Sequence, residues 1–280
     1  MRDLGCFVSC AGGLYMAVEN GEALGVNTIM LHPSPPQRWI TKPFDQAAID
    51  QFNSAKKNAK TVKKVFFHGI YLTNLANPEK QKFHLAKMSL VVYLDLCERI
   101  KGDGVVFHIG SFKDTDEETG YQQIVDGVNW ILEQAPGESK LMFEIAAGAG
   151  NVVGDSFEEL RQIYDRVEQK DRVQFCLDTQ HMFASGYDIV NNLEAVVAEM
   201  DQILTLDKIG AVHFNDSKTE CNSHKDRHEN LGDGLIGKAG MTGFLNHPRL
   251  KHLPFIMETP ALKDVDASRG EVEKLLAWAN

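Results

Sequence analysis

The sequence of 280 residues lacks any long apolar run, and stretches such as Leu90–Leu94 fall far short of the roughly 18 residues a membrane span needs. The opening segment, MRDLGCFVSC, has no basic stretch followed by an apolar one, so a secretory leader is not expected. These absences predict a soluble, intracellular, cytoplasmic protein. Cysteine is scarce. The five thiols, Cys6, Cys10, Cys97, Cys176 and Cys221, form no C-x-x-C pair, and so odd and scattered a set fits reduced thiols better than a disulfide framework. Positive charge is also short: 29 basic residues against 39 acidic ones give −10, which argues against a nonspecific basic coat for nucleic acid but allows a focused site. Neither a G-x-x-x-x-G-K-[ST] loop nor a strand-linked G-x-G-x-x-G occurs. No Pro/Ser/Gly-rich linker or low-complexity tract interrupts the chain, so a single domain over residues 1–280 is expected.

What is present is alternation. Eight short apolar segments rich in β-branched and aromatic residues are separated by stretches with helical spacing: Leu4–Val8, Thr28–Leu31, Val65–Phe67, Val105–Phe107, Leu141–Phe143, Val173–Leu177, Ile209–Val212 and Pro254–Met257. Between the fourth and fifth, Tyr121, Ile124, Val128 and Leu132 share one helical face that ends at Pro136-Gly137. After the fifth, Ser156-Phe157-Glu158-Glu159 has the S-x-x-E form of a capping box. Eightfold strand-helix alternation predicts an α/β fold, a (β/α)8 TIM barrel, with an open doubly wound sheet as the alternative.

The residues that leave the eight segments are Ser9, His32, His68, His108, Glu144, Asp178, His213 and Glu258. With 39 acidic residues and 10 histidines in 280, composition alone would place such residues at about one or two of eight exits, and seven have them. In a barrel all eight exits meet at the C-terminal mouth of the strands, where active sites of this architecture are built. Imidazole and carboxylate donors without thiolates suit Zn²⁺, Mn²⁺ or Fe²⁺ in a catalytic site. For any single His the plainer reading is a hydrogen-bonded core or rim residue, but a convergent group of carboxylates needs cations. Asp178-Thr179-Gln180-His181 leads from a strand into a loop with Gly186, and Asp226-Arg227-His228 lies in a polar stretch ahead of the glycines of NLGDGLIG. An extended D-x-H turns both side chains to one side, so both can reach one ion. The glycines read as turn punctuation more readily than as a phosphate cradle.

The segments GCFVSCAGGL, HGIYLTNLANP, FHIGS, FEIAAGAG, CLDTQHMFASGYD, VHFNDSK, DRHENLGDGLIG and METP, in this order over nearly the whole chain, resemble the endonuclease IV family of AP endonucleases. The resemblance implies a metal-dependent DNA-repair barrel that cuts the phosphodiester 5′ to abasic sites, leaving a 3′-hydroxyl, with 3′-phosphodiesterase or exonuclease activity as a further expectation. It implies three zinc ions at the mouth of the strands, with Mn²⁺ or Fe²⁺ as substitutes at some sites. His68, His108 and Glu144 would hold one; Glu144, Asp178, His213 and Glu258 a second; His181, Asp226 and His228 a third. Catalysis would centre on Glu144, Glu258 and Asp226. Tyr71, Leu72, Arg38 and Arg227 match DNA-binding positions, Tyr71 and Leu72 as a wedge, although for these two packing at a strand-helix junction is the plainer alternative. The implied partner is double-stranded DNA with abasic or blocked 3′ lesions, with no membrane, and a monomer is expected. Departures are Phe7 where His is common, Arg38 one position late, and Ile70, Ile145, Ala149 and Gln180 for other residues; none is an implied ligand. The rival reading is a divalent-metal sugar isomerase or epimerase of the xylose-isomerase-like barrels, which needs one or two ions and no wedge.

Overall fold

The computed structural model describes residues 2–113 and 115–279, and in it each apolar segment is a strand. They are β1 (Leu4–Phe7), β2 (Thr28–Leu31), β3 (Lys64–His68), β4 (Gly104–Phe107), β5 (Leu141–Glu144), β6 (Val173–Asp178), β7 (Ile209–His213) and β8 (Phe255–Met257). Each pairs in parallel with its sequence neighbours, and β8 pairs with β1, so the sheet closes into a barrel. Closure excludes the open-sheet alternative. The helices are α1 (Met16–Leu24), α2 (Gln46–Asn58), α3 (Lys80–Ile100), α4 (Glu117–Gln134), α5 (Phe157–Arg166), α6 (Thr179–Ser185), α7 (Leu193–Ile203), α8 (Gly237–Asn246) and α9 (Val265–Trp278). No helix among the described residues is long and apolar enough to cross a membrane, and all five cysteines are free.

Side chains alternate across a strand, and this alternation separates two cores. Met30, Phe66, Val106, Met142, Cys176, Ala211 and Ile256 fill the barrel interior, with Phe7 packed against them. Their neighbours, among them Val65, Phe67, Phe107, Phe143, Phe175 and Val212, face outward into the layer under the helices. Burying each large apolar side chain is worth about 1.5–3 kcal/mol, so the two-residue period is strongly specified.

Two local readings are revised. The segment after Asp178 is not a loop but the short helix α6, with Asp178 as its N-cap accepting from the Gln180 and His181 amides, and Gly186 as its left-handed C-cap. At α5, the Ser156 hydroxyl accepts from the Glu159 amide as expected, but the Glu159 carboxylate reaches past Ser156 to the Gly154 and Asp155 amides.

The loop after β7 is the largest excursion at the mouth. A two-stranded antiparallel ladder pairs Asp216-Ser217 with His228-Glu229 and carries residues 218–227 as its tip. The buried Asp216 carboxylate accepts from the amides of Gly232, Gly234, Ile236 and Gly237 at 3.0–3.2 Å. A Cβ at Gly234 would stand 2.5 Å from the Ser217 carbonyl oxygen, so the loop closes only around glycine. Replacing Asp216 by Ala leaves the buried Ile236 amide and three part-buried amides without this acceptor, a buried one costing about 1–3 kcal/mol and the others less. The expected result for Asp216→Ala is a loss of at least about 3 kcal/mol, seen as a Tm fall on the order of 10 °C in thermal unfolding by circular dichroism. A Tm equal to the parent's would show that this carboxylate does not hold the loop.

Candidate metal centre

Two residues beyond an inward-facing side chain comes another inward-facing one. Phe66 is followed by His68, Val106 by His108, Met142 by Glu144, Cys176 by Asp178, Ala211 by His213 and Ile256 by Glu258. The last apolar layer of the barrel is thus capped by a ring of imidazoles and carboxylates. The first turn of α6 adds His181, and the ladder after β7 swings Asp226 and His228 over the same opening.

Glu144 is the centre of the arrangement. It has no exposed surface. Its Oε2 lies 3.0 Å from His68 Nε2 and 3.5 Å from His108 Nε2, while Oε1 lies 2.8 Å from His213 Nδ1. One oxygen thus faces a group of His68, His108 and Glu144, and the other a group of Glu144, Asp178, His213 and Glu258. Glu258 Oε2 is 3.3 Å from His213 Nδ1. Asp178 also joins His181 and His228 in a third group. There His181 Nε2 and His228 Nε2 face each other at 3.4 Å, and Asp226 presents Oδ2 to His181 at 3.5 Å and Oδ1 to His228 at 3.3 Å. All nine sequence-indicated donors converge.

Ring orientations are set from outside the groups. His68 Nδ1 donates to the Gly69 carbonyl at 2.9 Å and His181 Nδ1 to the Ile145 carbonyl at 2.8 Å, which leaves each Nε2 turned toward the carboxylates. His213 is reversed, with Nδ1 toward the carboxylates and Nε2 3.2 Å from the Met30 sulfur. Asn215 joins two donors: its Nδ2 donates to Asp178 at 2.7 Å and its Oδ1 accepts from the Glu258 amide at 2.8 Å. Gln180 Nε2 donates to the Lys225 carbonyl at 2.9 Å, tying α6 to the loop that presents Asp226. Neither role was evident from sequence, although both residues lie inside motifs that were.

The electrostatics report crowding. Burial would raise the Glu144 carboxyl, yet His108, His213 and His68 hold it well below the usual range. Burial would likewise depress His181, but Asp178, Asp226 and Glu144 push it up to about 10. Burial also opposes charge on His213 and His68, and neighbouring acidic groups, Glu144 among them, outweigh it and raise both. His108, chiefly through burial and beside other imidazoles, falls to about 4. Protons on His68, His181 and His213 are thus favoured beside the carboxylates, a compensation that divalent cations on N/O donors would supply in their place. Donor type, spacing and fixed ring orientation all fit metal ions.

The centre opens into a cavity of about 1000 Å³. Arg227 lines it, together with Lys218 and Lys263, which the sequence analysis did not single out. Tyr71, also in the lining, is 63% exposed and Leu72 38%, so these two side chains are not packed at a junction as the plainer reading had it. Arg38 is exposed on the loop after β2 and is not part of the lining.

The family model described as "Xylose isomerase-like TIM barrel" matches residues 18–280. A probable endonuclease 4 of Clostridium botulinum is 36% identical over 275 residues, covering 98% of both chains. The crystal structure of endonuclease IV from Thermus thermophilus superposes with a TM-score of 0.88 at 29% identity, covering 99% of this chain and 98% of that one. A 3-keto-D-glucoside 4-epimerase from E. coli, at a TM-score of 0.70 and 12% identity over 99% of this chain and all of its own, shares the fold alone. Taken with the nine convergent donors, these likenesses show that the chain belongs to the endonuclease IV family within the xylose isomerase-like TIM barrels.

Proposed function

We propose that this chain is a metal-dependent DNA-repair hydrolase that cuts the phosphodiester 5′ to an abasic nucleotide in duplex DNA and leaves a 3′-hydroxyl. The observation that carries the reading is the meeting of nine imidazole and carboxylate donors in overlapping groups linked through Glu144 and Asp178. Three divalent ions, zinc foremost, would be held by His68, His108 and Glu144; by Glu144, Asp178, His213 and Glu258; and by His181, Asp226 and His228. When bound, such ions supply Lewis acidity that favours attack by water and stabilises negative charge on phosphate and leaving oxygen.

The chain's own residues do the rest. Catalysis is assigned to Glu144, Glu258 and Asp226: Glu258 and Asp226, in the cavity lining, would orient water, and one of them would accept its proton, while Glu144, without exposed surface, would hold the donors of two groups together. Arg227, Lys218 and Lys263 put cations on the rim, where a polyanionic backbone approaches a protein of net charge −10. Tyr71 and Leu72 project as an exposed aromatic-aliphatic pair beside the cavity, suited to fill the stack where a nucleotide is turned out. The nine donors are complete within one chain, so the site needs no partner subunit, and this is the support for proposing a monomer. A sugar isomerase has no use for such a wedge, and likeness to an epimerase is confined to the fold.

Metal content and the third group are tested together. Elemental analysis should find close to three transition-metal ions per chain, and His181→Ala or Asp226→Asn should lower that number while slowing cleavage of abasic DNA on the order of a hundredfold or more. Two ions and near-parental cleavage in both variants would remove the third group from the mechanism.

The chemistry of the cut is tested at its ends. Hydrolysis gives a 3′-hydroxyl and no covalent adduct. Because Lys218 and Lys263 stand on the rim, a β-elimination product or a borohydride-trapped adduct would overturn the hydrolytic reading.

For the wedge, Tyr71→Ala combined with Leu72→Ala should weaken binding to abasic duplex by about 2–3 kcal/mol, measured by fluorescence anisotropy, without loss of metal. An undiminished preference for abasic over intact duplex would end the wedge assignment.

A further inference from the structure

Of the seven titratable residues at the strand ends, His32 alone belongs to none of the metal-type groups among the described residues. It keeps the inward register, two residues beyond Met30, and lines the same cavity. Its Nδ1 is 3.1 Å from the His68 carbonyl oxygen. A carbonyl oxygen only accepts, so Nδ1 carries the proton and Nε2 of the neutral ring is left as an acceptor. The ring is held on several sides: its centroid is 4.8 Å from that of Phe7, 5.2 Å from His68 and 5.3 Å from Tyr71. Its backbone is fixed too, since the Cys10 thiol donates to the His32 carbonyl at 3.1 Å. Nε2 lies across the ring from this anchor, and the one hydrogen bond of the imidazole to a described residue is the one through Nδ1. The mouth therefore contains, in the cavity lining beside the candidate metal centre, a fixed imidazole whose Nδ1 is engaged and whose Nε2 is an acceptor when the ring is neutral.

We propose that His32 is a specificity-determining residue whose Nε2 accepts a hydrogen bond from the C1′ hydroxyl of the abasic deoxyribose. The inference rests on the abasic-endonuclease reading above. Loss of a base leaves a hydroxyl on C1′ of the ring-closed sugar, whereas an intact nucleotide has its base nitrogen there and no donor. With its phosphate at the metal-type groups, the sugar would sit in the same cavity, where His32 stands 5.2 Å from the His68 ring. Tyr71, edge-on to His32, places the wedge beside the same sugar. A fixed acceptor discriminates because an analogue lacking the donor leaves it dehydrated and unpaired.

The test compares a natural abasic site with its tetrahydrofuran analogue, which lacks the C1′ hydroxyl, in otherwise identical duplexes. Two ratios are read: kcat/KM for cleavage, and Kd by anisotropy on duplexes made uncleavable by a phosphorothioate at the scissile linkage. The parent should favour the natural site about fivefold in both. His32→Phe keeps an aromatic ring between Phe7 and Tyr71 but has no acceptor, and both ratios should fall to about one. His32→Leu, also without an acceptor, gives the same reading if the Phe variant is unstable. Ratios that stay at the parental value, or a parent that cuts both duplexes equally well, overturn the role of His32 and leave the abasic-endonuclease reading intact. A parent that cuts neither duplex overturns that reading, and this inference with it.

Discussion

A carboxylate removed from water must be compensated, and at Glu144 the His68 and His213 nitrogens do so at hydrogen-bond distance, with nitrogens of His108 and His181 around them within 3.6 Å. Those nitrogens come from the ends of β3, β4 and β7 and from α6, so one buried charge draws together elements from residue 68 to residue 213. Nothing local in the sequence could hold them so close. Parallel closure of the barrel brings the strand ends to one rim, and the two-residue period turns the right side chain of each inward. With Ala in place of Glu144 the imidazoles would lose the group that makes their proximity tolerable.

Around this centre the structure relies on short polar braces. Asn215 joins Asp178 to the backbone of Glu258, so donors from β6 and from the end of β8 are fixed relative to each other. One residue later, Asp216 gathers the glycine loop. A single segment, HFNDSK, therefore contributes a donor in His213, a brace in Asn215, a loop anchor in Asp216 and a rim cation in Lys218. Gln180 braces the far side by reaching the Lys225 carbonyl. Rigid neighbours of this kind hold side chains within the tolerance that chemistry at a phosphate requires.

The barrel was legible in the sequence because its signals are periodic and repeated eight times; each strand matches its apolar segment to within a residue or two at either end. The donors were legible because they fall where apolar strands stop. What escaped was local or tertiary. Helix α6 is seven residues long, too short for a face to show, and its N-cap is a residue already accounted for as a donor. Glu159 obeys the capping pattern in sequence, but a Gly154 amide within reach claims its carboxylate. Arg38, expected from its motif to meet DNA, stands exposed on the loop after β2, outside the cavity lining. The brace role of Asn215 depends on partners 37 and 43 residues away, a relation that no window along the chain contains.

The closed glycine loop has a consequence for how DNA settles. Backbone amides converging on one point form a cradle for anions, and a phosphate diester would suit it as well as a carboxylate does. A polyanion that met two open cradles could lodge in either, and its register along the protein would be divided between them. Asp216 already fills the loop's cradle from within. That cradle is therefore closed to a phosphate and does not compete for one with the candidate metal centre.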